Sequence, residues 1–97
     1  MYALAIIRYR KPVEEVAKHT DAHRAYLGGL KAKGLIVASG PLDPRIGGAI
    51  LLRVPDDAVD ATLDSVRDGD PYTKAGVAQY ELLAWNPVMG QEGLDKL

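Results

Sequence analysis

At 97 residues the chain is one small domain with a thin core, which association with another copy would help. Its 47% apolar and 26% charged residues are those of a globular protein, and a formal net charge of −1 with interleaved signs leaves no basic cluster for nucleic acid. The absence of cysteine removes disulfides, thiolate nucleophiles and sulfur-ligated metals together.

The apolar opening, Met1 to Arg8, is too short to span a membrane and lacks the basic start and small-residue cleavage site of a signal peptide. A soluble cytoplasmic protein is expected. Tyr2 to Tyr9 is β-prone and reads as the first strand. From Pro12 to Gly34 the pattern predicts one amphipathic helix, with Pro12 in its first turn and Glu14 and Glu15 near the positive end of its dipole. Gly28-Gly29 should weaken its last turn, and Gly34 is a sound stop. Leu35 to Ser39 predicts a second strand closed by Gly40-Pro41. Asp43 to Gly48 predicts a loop, and Ala49 to Val54 a third strand. Pro55-Asp56-Asp57 precedes a second helix over Ala58 to Arg67, with Val59, Leu63 and Val66 on one face. Gly69-Asp70-Pro71-Tyr72 ends it, Thr73 to Ala75 forms one short turn, and Val77 to Trp85 is the last strand.

The order β-α-β-β-α-β predicts an α+β, ferredoxin-like subunit: an antiparallel sheet with two helices on one face. Strands two and three are apolar on both faces, so the second face of the sheet also needs cover. A second copy of the chain is the economical cover, giving a homodimer. The tail from Pro87 is too polar and glycine-rich to pack strongly alone and is expected to lie on the partner subunit.

Val16, Thr20, His23, Leu27 and Leu30 recur at alternating steps of four and three, which places an imidazole on the core-facing stripe of the first helix. It is either a packed core residue or a pocket wall able to exchange protons near neutrality. His19 and His23 are four apart, as two ligands of one metal can be, but no third ligand accompanies them and no metal site is expected. Asp70 precedes a proline and is held extended at a turn. Its carboxylate either caps the short turn that follows or orients a histidine, and the residues alone leave both open. Ser39, Arg45, Tyr72 and Arg8 are the further candidates for binding a small ligand: a hydroxyl at a rigid turn, a cation on a glycine-rich loop, a phenol beside Asp70 and a cation on strand one.

Three short segments, His23-Arg24-Ala25-Tyr26-Leu27, Ala38-Ser39-Gly40-Pro41-Leu42 and Asp70-Pro71-Tyr72-Thr73-Lys74-Ala75-Gly76-Val77, resemble the YCII-like family of the dimeric α+β barrel superfamily. The resemblance covers a domain of residues 1–86, leaving a tail of residues 87–97. It implies a dimer with two sheets facing each other and a site built on a histidine–aspartate pair, here His23 and Asp70. It also implies a cofactor-independent lyase or isomerase acting on a small, acidic, aromatic ring compound. Loss of HCl from a chlorinated hydroxyhydroquinone is one such reaction of the family. His23 would exchange the proton, Asp70 would hold its tautomer, and Ser39 and Arg45 would position substrate oxygens. The loop between Pro41 and Gly47 is shorter than in the broader family, which bears on how fully the site is enclosed. The alternative expectation is a non-catalytic dimeric module that binds a small ligand.

Overall fold

The computed structural model describes residues 1–97. Its elements run β1 (Tyr2–Tyr9), α1 (Val13–Ala17), α2 (Thr20–Ala32), β2 (Ile36–Pro41), β3 (Gly47–Arg53), α3 (Val59–Gly69), α4 (Pro71–Lys74), β4 (Ala78–Trp85) and α5 (Gln91–Asp95). The strands form one antiparallel sheet in the order β2-β3-β1-β4. This is the small α+β, ferredoxin-like arrangement expected from the element order. No helix is long and apolar enough to cross a membrane.

Strand alternation decides which side chains meet the helices. Ala3, Ala5 and Ile7 of β1, Ile50 and Leu52 of β3, and Ala78 and Tyr80 of β4 are buried with Val16, Leu30, Leu63 and Val66 of the helices. The opposite face carries Leu4, Ile6, Leu51, Leu83 and Trp85, in register across β3, β1 and β4. Leu83 and Trp85 are 41% and 39% exposed there, so the face is apolar without being covered. The edge strand β2 departs from the expectation of burial on both faces: beyond Ile36 and Val37 it is exposed.

The first helix is broken rather than continuous. The Lys18 amide bonds the Glu15 carbonyl and the His19 amide bonds that of Val16, tight i−3 contacts that close α1 before α2 begins at Thr20. Thr20 bonds its hydroxyl back to the Val16 carbonyl at 3.3 Å, which supports the bend. The stripe survives the break, because Val16, Thr20 and Leu30 are buried and His23 and Leu27 partly so. Gly28-Gly29 does not fray α2, which runs on to Ala32 and stops before Gly34 at φ +82°.

Strands β2 and β3 also extend into what the sequence suggests is loop. Gly47 pairs with Arg8, and a Cβ at Gly47 would lie 1.8 Å from the Ile7 carbonyl oxygen. Glycine is therefore a requirement of the β1–β3 ladder at that position. The end of the tail also contacts its own chain. The Tyr2 hydroxyl donates to Asp95 at 2.6 Å, and Arg53 donates to the Leu94 carbonyl at 2.8 Å.

Gly47→Ala should cost about 3 kcal/mol or more, at or beyond the upper end of ordinary overpacking, because backbone must move to admit the methyl group. Urea unfolding of the variant measures this. A midpoint equal to that of the native chain would mean that the β1–β3 approach is looser than described.

Candidate active site

Asp70 is the hinge between α3 and α4. Pro71 excludes a helical conformation for the residue before it, and Asp70 adopts φ −71°, ψ 128°. Its carboxylate then accepts the Tyr72 amide at 2.9 Å, an N-terminal cap on α4. The same carboxylate accepts from His23 Nδ1, which lies 2.8 Å from both oxygens, and from the Tyr80 hydroxyl. The capping and histidine-orienting readings of Asp70 are thus not alternatives, since one side chain does both.

Asp70 is completely buried, and the His23 side chain is 12% exposed. An ionised carboxylate only accepts, so the neutral imidazole must carry its hydrogen on Nδ1 and present the lone pair of Nε2. Nε2 has no protein partner and is not sealed in, and His23 lines a cavity of about 240 Å³. The imidazole lies flat on the Tyr72 ring, with centroids 3.9 Å apart and planes within 6°. Tyr72 is itself fixed by Thr20, whose hydroxyl is 2.8 Å from the phenol oxygen, and by an edge-on contact with Tyr9 at 6.0 Å. Tyr26 braces the same corner from α2. Its hydroxyl donates to the Val66 carbonyl at 2.9 Å, packed where any side chain at Gly69 would clash.

The cavity gathers His23, Ser39, Arg45 and Tyr72, four of the residues singled out from the sequence, with Asp70 directly behind His23. Arg45 reaches in from the short loop and donates Nε to the Tyr9 hydroxyl at 3.3 Å. Arg8 does not join them. It lies on the opposite parity of β1 from Ile7 and Tyr9, on the uncovered sheet face, and pairs with Glu81 at 2.9 Å. The parity that Arg8 shares with Leu4 and Ile6 is the one turned away from the helices, so the strand carries this cation away from the cavity. Three contributors escaped the sequence reading. Tyr9 and Tyr80 occupy helix-facing parities of β1 and β4, a signal that becomes usable only once the register is known. Thr20 was visible as a stripe member, but its link to Tyr72 was not. His19, half-buried just before α2, lies outside the cavity lining.

Residues 1–86 match the family described as YCII-related domain. The chain belongs to the YCII-related family. Among solved structures it is similar to 5-chloro-2-hydroxyhydroquinone dehydrochlorinase (TftG) from Burkholderia phenoliruptrix AC1100, determined in complex with 2,5-dihydroxybenzoquinone. The two share 28% sequence identity and superpose with a TM-score of 0.70, over 89% of this chain and 94% of that one. No curated protein matches the chain. For a YCII-related domain, the dehydrochlorinase supplies a small-molecule enzyme of similar fold at nearly full length.

Three phenols at this site resist ionisation. Burial raises Tyr72, Tyr26 and Tyr80 above the ordinary value of 10.0, and the Asp70 carboxylate adds to the effect on Tyr26 and Tyr80. Neutral phenols therefore contribute stability that is intact below pH 10.0 and is lost as the pH rises towards their folded-state values. The urea midpoint should fall steadily as the pH is raised above 10.0, and the phenolate absorbance of Tyr80 should appear only with unfolding. Full phenolate absorbance while circular dichroism still reports native structure would count against this assignment.

Proposed function

We propose that the protein is a cofactor-independent lyase that uses His23 and Asp70 for proton transfer on a small acidic ring compound, with 5-chloro-2-hydroxyhydroquinone as the leading candidate. The observation that carries the reading is the buried Asp70 carboxylate, which holds Nδ1–H of His23 and leaves Nε2 open to a cavity shared with Arg45. In this role Nε2 takes a proton from a substrate hydroxyl, and Asp70 stabilises the imidazolium that results. The ring takes up a proton at the carbon bearing chlorine, and chloride leaves with the C–Cl bonding pair as a second hydroxyl gives up its proton and becomes a quinone carbonyl. The two electrons that the ring gives up depart on chloride, so the hydroxyquinone and HCl account for every atom without an external oxidant. Arg45, with the Tyr9 hydroxyl that it holds, supplies positive charge for a phenolate oxygen, and Ser39 offers a hydroxyl from the edge strand. The similarity to a dehydrochlorinase solved with a dihydroxybenzoquinone supports the choice of substrate class.

Chloride release from 5-chloro-2-hydroxyhydroquinone tests the proposal. His23→Ala should lower turnover by about 10²–10⁴-fold, the range of general acid–base catalysis, without loss of fold. A variant that retains the native rate, or a native chain that binds the compound and never releases chloride, overturns it.

The uncovered sheet face is part of the same reading. We infer that Leu4, Leu51, Leu83 and Trp85 meet their equivalents in a second copy, forming a homodimer with its two sheets face to face. Sedimentation equilibrium should give the mass of two chains, and Leu51→Glu should give one. A native chain that remains monomeric at the protein concentration of the assay would remove the dimer from the proposal.

A further inference from the structure

Tyr80 approaches Asp70 from β4, a direction that neither the α4 cap nor the imidazole uses. The carboxylate divides its contacts. Oδ1 accepts the Tyr72 amide and faces His23 Nδ1, while Oδ2 faces the same Nδ1 and accepts the Tyr80 hydroxyl. The Tyr72 amide belongs to the short helix and would be present in any capped turn. The Tyr80 phenol is a side-chain donor that packing alone did not require, since an apolar ring at this register would fill the same space beside Ala78 and Ile7.

A donor on Oδ2 draws negative charge away from the carboxylate that Nδ1–H faces. The less charge remains there, the weaker the attraction for an imidazolium and the more readily His23 gives up its proton. Tyr80 can only donate to an ionised carboxylate, and burial together with that carboxylate keeps the phenol protonated throughout the range in which an imidazole titrates. We propose that Tyr80 is a positioning residue that sets the proton affinity of His23 by holding Asp70 Oδ2, an inference that rests on the acid–base reading of His23.

The other groups facing the pair leave this contact distinct. Tyr72 stacks on the imidazole, Tyr26 lies near Asp70 from α2, and Tyr9, Arg24 and Arg45 share the cavity that His23 lines. None of these donates a side-chain hydrogen bond to Asp70. Tyr80 also lines a separate cavity with Arg10, Lys11 and Arg67, none of which bonds Asp70 through its side chain.

Imidazole ¹⁵N spectra of the whole chain test the proposal without substrate, so loss of the lyase reading and loss of this one are separate results. The chain has two histidines, and His19, half-buried just before α2 and outside the cavity, serves as the internal control. Spectra recorded from about pH 4 to about pH 9 span the histidine range. In Tyr80→Phe the pH at which His23 takes up its proton should rise by roughly one unit, the scale of one lost donor to a charged group, with His19 unmoved. A folded Tyr80→Phe in which His23 titrates as in the native chain overturns the proposal. If that variant fails to fold, the native chain decides. The Tyr80 hydroxyl proton should give an exchange-protected, downfield signal that moves at the His23 midpoint as the imidazolium competes for the carboxylate. A signal that ignores that midpoint, or no protected hydroxyl proton at all, overturns the proposal equally.

Discussion

A carboxylate with no exposed surface has to find in the protein every donor that water would have offered, because an unpaired buried charge costs several kcal/mol. Asp70 meets that demand from three directions: the amide two residues ahead, an imidazole on α2 and a phenol on β4. Each donor ties a different element to one point. The amide starts α4 immediately after α3 ends, the imidazole fixes how α2 lies across the sheet, and the phenol requires β4 to present Tyr80 inward. Tyr26 reinforces the arrangement from behind by bonding the last carbonyls of α3, where Gly69 leaves room for its ring. The packing around Asp70 is therefore as much a statement about how helices meet the sheet as about chemistry.

Much of this was legible from residue types and spacing. The β-prone run of Tyr2 to Tyr9, the 3–4 periodicity of the first helical segment and the proline after Asp70 each report a local constraint. Those constraints led to the ferredoxin-like order and to His23 and Asp70 as residues of interest. What escaped depends on contacts between segments far apart in the chain. Tyr9 and Tyr80 look like ordinary strand aromatics until the β1–β4 register places both on the helix side. Arg8 looked equally suited to hold an anion, and only strand parity sends it to the other face. The break before Thr20 was hidden because the apolar stripe continues through it. Gly47 reads as loop because its reason for being glycine is the carbonyl of Ile7, forty positions earlier.

The short loop after β2 bears on the cavity in a specific way. It does not close over the site as a long lid would, and the cavity is bounded instead by Gly47 and Gly48, the Pro41 turn and the stacked rings of His23 and Tyr72. Arg45 remains exposed at the mouth, anchored through Tyr9. A ligand entering there meets a cation at the rim and an open imidazole nitrogen further in, on a wall made by two stacked rings. That order suits a flat, acidic molecule whose charge is held at one end while a proton is exchanged at the other.

The pair itself argues for chemistry over simple binding. A buried carboxylate and its imidazole are a poor way to stabilise a small core, since an apolar pair of similar volume is often neutral or more stable. Their neighbours on the same stripe, Val16 and Leu30, show that the fold accommodates aliphatic side chains there. A binding module needs donors and a cation at the rim, which Ser39, Arg45 and Tyr9 already provide. It has no need of a carboxylate behind the histidine, nor of a phenol behind the carboxylate. A hydrogen-bonded chain in which His23 Nδ1 and the Tyr80 hydroxyl both donate to Asp70 bears on how tightly Nε2 holds a proton, and that property matters to a site that must both take a proton and return it.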